Sequence, residues 1–553
     1  MKLDLTRLDR SWWARPALLL ALVLPLLLSG LRTGDCLFHM EVRALASSQE
    51  TWLRQQTDPQ AWRVPSWNGE PRVNKPPLVV WLNMLLWADL PPDTPVDALL
   101  YRARLAGVAM GLLALLATAW AGATLGGTRF GWAAAAVTGT SLLFIRQVRV
   151  ASYDTYLLAL CTLALAAGLW ALQPDQPERR RPYHGWGWLL AGVSLGAAVL
   201  AKGPLALLIC GVPLLLLALG QPERRRLLPA SLGVLGLAAV VALPWYAYIL
   251  KTVPSAVELL KTEFEANRPR SAPPWYYLGL IGLVLPWCLW LPAGLASAFR
   301  RRADGAPAIR SALIWFAAIF ILMSLHEAKQ QRYIVPLLPA AGLLAAYAIL
   351  HAAFRRPDTF ARLARVHFGA LVFLSVLYAF LGVGQGWLRR AELEVLPNWV
   401  YMLTAPLLIL AAAQGWRLAR RGPREAALWL TAGWMSLAGT PALFAYSHSY
   451  HGRYGHRAEV ERVGALTRGQ TLYHLTGPYT APQYMRPDPK FLLYARRIAP
   501  GRDLRQLQHL AGPAWATAPV HPGADRDLQK FGWKPVLDYQ DQGPMRRLSR
   551  KAD

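Results

Sequence analysis

Asp35, His39, Glu41 and Lys75 lie in the first long polar connection of the chain, and Arg149 and Asp154 border a later apolar run. Lys202 precedes another run, and Arg268, Arg270, Lys329 and Arg332 fall in two further connections. A carboxylate held at a membrane surface can take a proton from a hydroxyl, which is the chemistry open to Asp35. His39, four residues on, shares its helical face and can tune it. The stretch Gly34 to Glu41 reads as an amphipathic helix lying on the membrane, where Asp35 equally fits an N-cap that accepts the first free backbone N–H groups. Lys75 is followed by Pro76 and Pro77, which fix the backbone and can start a helix. It is either a compact cation for a phosphate or a snorkelling anchor. Single ionisable groups at membrane borders commonly snorkel or cap helices, so the signal is their gathering on one face.

The elements that must hold these groups are membrane spans. The composition is 54% hydrophobic and 16% charged over 553 residues, which is that of a chain solvated by a bilayer. Runs of roughly 20 apolar residues, the length that crosses a hydrocarbon core, begin near Pro16, Leu99, Phe130, Thr155, Trp186, Gly203, Leu227, Trp275, Ser311, Ile334, Val366, Trp399 and Ala426. These predict an all-α polytopic membrane domain of about 13 transmembrane helices. With the N-terminus cytoplasmic, Arg179 to Arg181, Arg224 to Arg226, Arg300 to Arg302, Arg355 with Arg356, and Arg417 with Arg420 and Arg421 all fall inside, as the positive-inside rule requires. The net charge of +27 therefore reports orientation before partners, and nucleic acid is excluded. The other connections, with their site candidates, fall outside. The first run follows Lys2, Arg7, Arg10 and Arg15 as a signal peptide would, but no small-residue cleavage pattern follows and a retained anchor is expected. Cys36, Cys161, Cys210 and Cys288 are too dispersed for a disulfide framework or a thiolate metal site.

After about Tyr446 the chain turns polar. Residues 1–445 are expected to form the transmembrane domain, with the first periplasmic loop at 31–98, and 446–553 a small C-terminal α/β periplasmic domain. Thr471 to Leu475, Phe491 to Ala495 and Ala514 to Ala518 read as strands. Ala458 to Leu466, Asp503 to Leu510 and Asp525 to Phe531 read as helices. His448, His451, His456 and His474 match no strong metal-ligand spacing. The 24 Trp read mainly as interfacial and packing residues, with Trp62 and Trp67 able to stack on a sugar.

Several short motifs recur in a fixed order: Asp35 with Glu41, Asn68-Gly69-Glu70-Pro71, Lys75-Pro76-Pro77-Leu78, Asp154 opening a span, and Ala201-Lys202-Gly203-Pro204. Leu243-Pro244-Trp245-Tyr246, Pro274-Trp275-Tyr276-Tyr277, Leu285-Pro286-Trp287 and Lys329-Gln330-Gln331-Arg332-Tyr333-Ile334-Val335-Pro336 complete the series. In these the chain resembles bacterial membrane glycosyltransferases related to aminoarabinose lipid A transferase and, more distantly, protein O-mannosyltransferases. The resemblance covers roughly Leu31 to Leu350. It implies the C-type membrane glycosyltransferase fold, a site facing the periplasm of the bacterial inner membrane, a polyprenyl-phosphate-sugar donor and an inverting transfer. It also implies that Asp35 is the general base and that Asp154 organises the acceptor side or the loop. Lys75 would hold the donor phosphate, with Lys202, Lys329 and Arg332 as basic residues at the mouth and His39, Glu41 and Arg149 in support. The family commonly has Glu, Arg and Tyr where this chain has Cys36, Phe38 and His39, and Arg268 or Arg270 would compensate for the Arg. No cofactor is expected, and a divalent metal is disfavoured because Asn74 and Asn267 stand where a Glu and a His would ligate. The acceptor is a glycolipid such as lipid A, a polysaccharide or a protein. A lipid or sugar transporter would place its charges near the midplane rather than on one face. A non-enzymatic envelope scaffold leaves Asp35, Lys75 and Asp154 unexplained.

Overall fold

The structure is a computed structural model that describes residues 13–33, 36, 39–173, 184–265, 272–300, 307–355, 357–383, 397–421, 425–451, 457–477, 489–510, 512–540 and 545–551. Its contacts divide the chain into two units. The first comprises Met1–Leu31, Arg104–Thr252 and Leu260–Ser449, and the second Arg32–Ala103, Val253–Leu259 and Tyr450–Asp553. Where the sequence pattern groups the first long connection with the spans, the described contacts group it with the C-terminal segment.

The first unit is helical. Among the described residues, 7 helices are long and apolar enough to cross a membrane, including Tyr153–Ala171, Gly185–Lys202 and Arg224–Thr252. Shorter apolar helices include Ala14–Leu28 and Ile309–Leu325. Several of the apolar runs are not single α-helices. The run from Phe130 divides between Thr128–Gly139 and Leu142–Val148. The run from Trp275 breaks into a 3-10 turn at Pro274–Gly279, a short helix at Leu280–Leu283 and a helix at Trp290–Arg300. Pro273, Pro274 and Pro286 lack the N–H that a continuous helix would use. The Leu285 carbonyl freed at this break accepts from Leu142 N at 2.9 Å across the unit, and beside it the Trp287 indole Nε1 donates to Thr140 Oγ1 at 3.0 Å. Apolar surroundings require such pairing.

Tyr153–Ala171 and His184–Lys202 pack as an antiparallel pair. At one end Gly187 lets the backbones meet, since a Cβ there would lie 2.9 Å from Ala171 Cβ and 3.1 Å from Ala167 O.

The second unit is assembled from segments far apart in sequence. Its five-stranded sheet has the order β4-β3-β5-β7-β6, with β3 Thr471–Leu475, β4 Gly501–Arg502, β5 Ala514–Pro519, β6 Trp533–Gln540 and β7 Met545–Lys551. β3 pairs in parallel with β4 and β5, and β7 runs antiparallel to β5 and β6. Phe491–Ala495, read from sequence as a strand, is instead a helix, Pro489–Ala495. All five of those residues are buried, and a continuous apolar run has no periodicity to separate the two states. The helix packs on His39–Gln55.

The Asn-Gly-Glu-Pro motif is a two-residue hairpin joining β1 Ser66–Trp67 to β2 Glu70–Pro71. Asn68 (φ 56) and Gly69 (φ 79) both occupy the left-handed region that a type I′ turn demands. Glu50 clamps the turn by accepting from Asn68 N at 2.5 Å and Gly69 N at 2.9 Å. The Asn68 side chain then bonds main chain more than 400 residues away, with Nδ2 donating to Ala499 O at 3.1 Å and Oδ1 accepting from Ala499 N at 2.7 Å. Arg457 adds a bidentate pair with Asp97 at 2.8 and 2.9 Å. Arg496 donates to Thr94 O at 2.7 Å and also to Pro92 O. It does so from a left-handed φ of 53 just beyond its helix, a position that a glycine would hold without strain.

Asn68→Ala removes two hydrogen bonds and the tolerance for positive φ, so it should destabilise this unit by about 2–3 kcal/mol. Faster proteolysis of segment 66–71 than in the parent, with the spans intact, is the expected reading. Burial pushes the Glu50 carboxyl above its ordinary value of 4.5 despite the N–H donors of Gly69 and Asn68. Its contribution to stability is therefore full below about 4.5 and is lost as pH rises through the folded value. Protease resistance of the hairpin should fall over that window in the parent and stay flat in Glu50→Gln; equal slopes would refute the assignment.

Candidate active site

Asp154 is the second residue of Tyr153–Ala171, and Lys202 is the last of His184–Lys202. Each charge thus sits at the helix end whose dipole favours it. Lys202 Nζ donates to Asp154 Oδ1, with side-chain exposures of 8% and 1%, so this is a buried ion pair. Asp154 Oδ2 has no hydrogen-bond partner among the described residues. Lys202 Nζ also lies 4.8 Å from the centre of the Tyr333 ring, a cation–π distance.

The Ala201-Lys202-Gly203-Pro204 motif explains how the ammonium is presented. Gly203, at φ 96, ends the helix in a conformation closed to other residues, and Pro204 prevents its continuation. The Tyr246 hydroxyl is close by, 3.9 Å from where a Gly203 Cβ would be. Tyr246 is itself held edge-to-face on Trp245 at 5.0 Å.

The loop leading to Gln331–Leu337 supplies the opposite wall. Tyr277 is within electrostatic reach of Asp154 and Tyr333, and its hydroxyl donates to Gln330 O at 3.2 Å while accepting from Gln330 N at 3.3 Å. Arg332 lies 5.3 Å from the Tyr333 ring centre, and its buried Nε has no partner among the described residues. Arg146 donates to Gln331 Oε1 at 3.0 Å.

Two predicted site cations are committed elsewhere. Lys329 donates to Ala272 O at 2.8 Å and His326 O at 2.6 Å, tying two loops together. Arg149 donates to Leu26 O at 2.7 Å, to Ser29 O and to Ser447 Oγ at 3.2 Å, joining the first and last helices of the unit. Glu41 and Lys75 belong to the second unit, Glu41 fully buried and Lys75 half-buried in the turn before the helix Leu78–Leu86. Asp35, Arg268, Arg270 and Asn267 lie outside the described residues, as does the His39 side chain. His474 is spoken for structurally, its Nδ1 lying 3.2 Å from Arg546 in the sheet. Among the described residues no cluster of His, Cys, Asp and Glu has a metal-binding arrangement.

Tyr246, Tyr277, Tyr333 and Arg146 were not singled out from sequence. The first three stood only as members of short motifs, and their signal was a tyrosine following Trp245, Tyr276 or Arg332 at the edge of an apolar run. Chemically, the first-unit cluster offers one carboxylate oxygen with no partner among the described residues, three cations and three phenols, a set suited to hydroxyl-rich and anionic groups.

Residues 86–260 match the family model of dolichyl-phosphate-mannose-protein mannosyltransferase. The chain is 32% identical over 224 residues to undecaprenyl phosphate-alpha-4-amino-4-deoxy-L-arabinose arabinosyl transferase 2 of Proteus mirabilis, covering 38% of this chain and 39% of that protein. It is 30% identical over 286 residues to arabinosyl transferase 1 of Sodalis glossinidius, covering 48% and 49%. The chain thus matches less than half the length of these two relatives. The fold is that of ArnT from Cupriavidus metallidurans in the apo state, with a TM-score of 0.72 at 21% identity over 97% of both chains. The same protein bound to undecaprenyl phosphate gives 0.71 at 21% identity over 98% of both. Fold and site therefore define a helical polytopic membrane protein. Within that class, the chain resembles the membrane glycosyltransferases that use polyprenyl-phosphate-linked sugars.

Lys202→Met leaves the Asp154 carboxylate buried without its counter-charge and should cost about 3–5 kcal/mol. Pairing it with Asp154→Asn should recover more than half of that loss, as judged by thermal unfolding in detergent. A double variant as unstable as Lys202→Met alone would show that the pair is not what holds these helix ends.

Proposed function

We propose that this protein is an inverting glycosyltransferase that moves a sugar from a polyprenyl-phosphate carrier to a lipid A-like glycolipid or another envelope acceptor at the periplasmic face of the bacterial inner membrane. The observation that carries the reading is the buried Asp154–Lys202 pair, flanked by Arg332 and Tyr333, in a chain whose fold matches ArnT over almost its full length. ArnT from Cupriavidus metallidurans, whose fold this chain shares, binds undecaprenyl phosphate. The names of the similar enzymes make 4-amino-4-deoxy-L-arabinose the first sugar to test.

In this reading the spans number about 13, the N-terminus is cytoplasmic and the C-terminal α/β domain is periplasmic. The acceptor hydroxyl gives its proton to Asp35 and its oxygen attacks the anomeric carbon. The bond from that carbon to the phosphate oxygen breaks, and polyprenyl phosphate leaves with one more negative charge on its phosphate. Lys75, with Arg268 and Arg270, stabilises that growing charge, which is where fixed cations lower a barrier most. Lys202 and Arg332 add positive potential, and Asp154 keeps Lys202 in place while its second oxygen is open to an acceptor hydroxyl. A donor that arrives laterally from the bilayer needs no soluble nucleotide-sugar domain.

Sugar transfer from synthetic polyprenyl-phosphate sugars to membrane lipids or proteins by the purified chain tests the reading. Asp35→Asn should lower turnover by about 10²-fold or more while leaving insertion unchanged, since Asn keeps the shape but cannot take the proton. Lys75→Ala should weaken donor binding and slow transfer together, with only partial rescue by Lys75→Arg. Near-normal turnover in both Asp35→Asn and Lys75→Ala would return these residues to capping and anchoring.

A further inference from the structure

At one end of the first unit the chain leaving the helix Val212–Leu219 opens a recess of about 480 Å³, lined by Gln221, Pro222, Glu223, Arg224, Arg225 and Arg226. Arg310 reaches the same loop, its Nη2 lying 3.7 Å from where a Gly220 Cβ would be. All four arginines are exposed, and among the described residues none has a hydrogen bond or ion pair for its guanidinium. Elsewhere in the unit Arg15 and Arg129 share Glu425, at 3.2 and 2.6 Å. Here Glu223, the acid in the lining, pairs with none of the four. Each arginine also falls within the first four residues of its helix, Arg224–Thr252 or Pro307–Leu325, where the macrodipole opposes a cation. Positive charge in such a connection orients a chain in the membrane, but the described chain supplies no counter-charge for it.

An exposed stripe leads away from these arginines along Arg224–Thr252. Arg226, Pro229, Gly233, Gly236, Val240 and Leu243 follow one another at steps of three and four, which places them on one face, and all six are exposed. A Cβ at Gly233 or Gly236 would meet nothing within 4 Å, so the stripe is floored by main chain at those two positions, with the exposed Leu232 and Val240 beside them. Gly236 is about 15 Å along the axis from Arg226, which is half of a hydrocarbon core about 30 Å thick. The bare strip therefore stays within the leaflet whose surface the arginines mark. Tyr246, beside Gly203, lies about 33 Å from Arg224 along the same helix, so this surface is distinct from the candidate active site.

We propose that this surface holds an anionic phospholipid, with its phosphate on Arg224, Arg225, Arg226 and Arg310 and an acyl chain along Gly233 and Gly236. Phosphate is the anion whose geometry the guanidinium fork matches, and basic recesses at the ends of spans attract acidic headgroups. An acyl chain gains contact where the helix offers no side chain, and it lies at the depth that the phosphate position requires. A second copy of this chain is the other partner that a small-residue face admits. A two-fold axis normal to the membrane would bring Arg224, Arg225 and Arg226 of both copies together, however, and like charge opposes that pairing. The assignment rests neither on the transfer reaction nor on the orientation of the chain.

The test uses the full chain in nanodiscs that mix phosphatidylcholine with phosphatidylglycerol, and native mass spectrometry counts the lipids that stay bound on release from the disc. The parent should retain phosphatidylglycerol in preference to phosphatidylcholine. Arg226→Gln combined with Arg310→Gln keeps Arg224 and Arg225 to orient the chain and should lower that preference about 10-fold or more. Gly236→Phe leaves every charge in place and covers the bare strip, and it should lower phosphatidylglycerol retention as well. It also decides the matter if the double arginine variant fails to fold. Equal retention of the two lipids by the parent, undiminished preference in the folded double variant, undiminished retention in Gly236→Phe, or a lipid-free dimer that Gly236→Phe dissociates would overturn the assignment.

Discussion

A charge enclosed by apolar helices must meet an opposite charge or a set of dipoles, and in the first unit Asp154 and Lys202 meet that requirement for each other. The pair fixes the register of two helices. Lys202 can reach Asp154 only when Gly187 lies against Ala167 and Ala171 at the far end, some 15 residues and about 22 Å away along the helix. Close packing at the glycine and the ion pair are therefore one constraint with two ends. The site inherits its geometry from it, because the same ammonium sits on Tyr333 and the same helix end turns at Gly203 beneath Tyr246.

The basic composition follows a related rule. With 59 Lys and Arg against 32 Asp and Glu, many cations have no acid to pair with. Main-chain carbonyls take several of them: Arg104 reaches Leu31, Arg149 reaches Leu26 and Ser29, and Lys329 reaches Ala272 and His326. In the second unit Arg72 bonds Arg43 O, and Lys551 bonds Gln508 and Leu510. Apart from that of Arg43, which lies within the helix His39–Gln55, these carbonyls lie at helix ends and in loops, where they would otherwise need water. Arginine and lysine thus serve as cross-links between segments as well as markers of orientation.

The sequence makes the helical class legible because apolar runs of span length have few other uses. It also makes Asp154 and Lys202 visible one at a time, as charges beside apolar runs, but not as a pair, since pairing depends on helix register. In the second unit Thr471–Leu475 and Ala514–Pro519 carry enough strand character to be recognised. Pro489–Ala495 does not declare itself, and β6 and β7 are hidden by charge. β7 holds Arg546, Arg547 and Arg550, yet Arg546 is buried because Thr517 and His474 receive its guanidinium. The Asn-Gly-Glu-Pro motif shows the opposite error of emphasis. It stands out as a family signature, and its physical content is a turn that docks on Ala499.

That docking has a consequence for how the chain is made. Asn68 and Ala499 are 431 residues apart, and a ribosome adding about 5–20 residues per second needs roughly 20–90 s to cover that interval. Throughout synthesis of the intervening spans, the hairpin exists without the backbone it will bond. Its own left-handed turn and the Glu50 clamp are the devices that can keep it in shape while it waits. The second unit is completed last, so a nascent chain released early would carry its spans without the fold that joins its two ends.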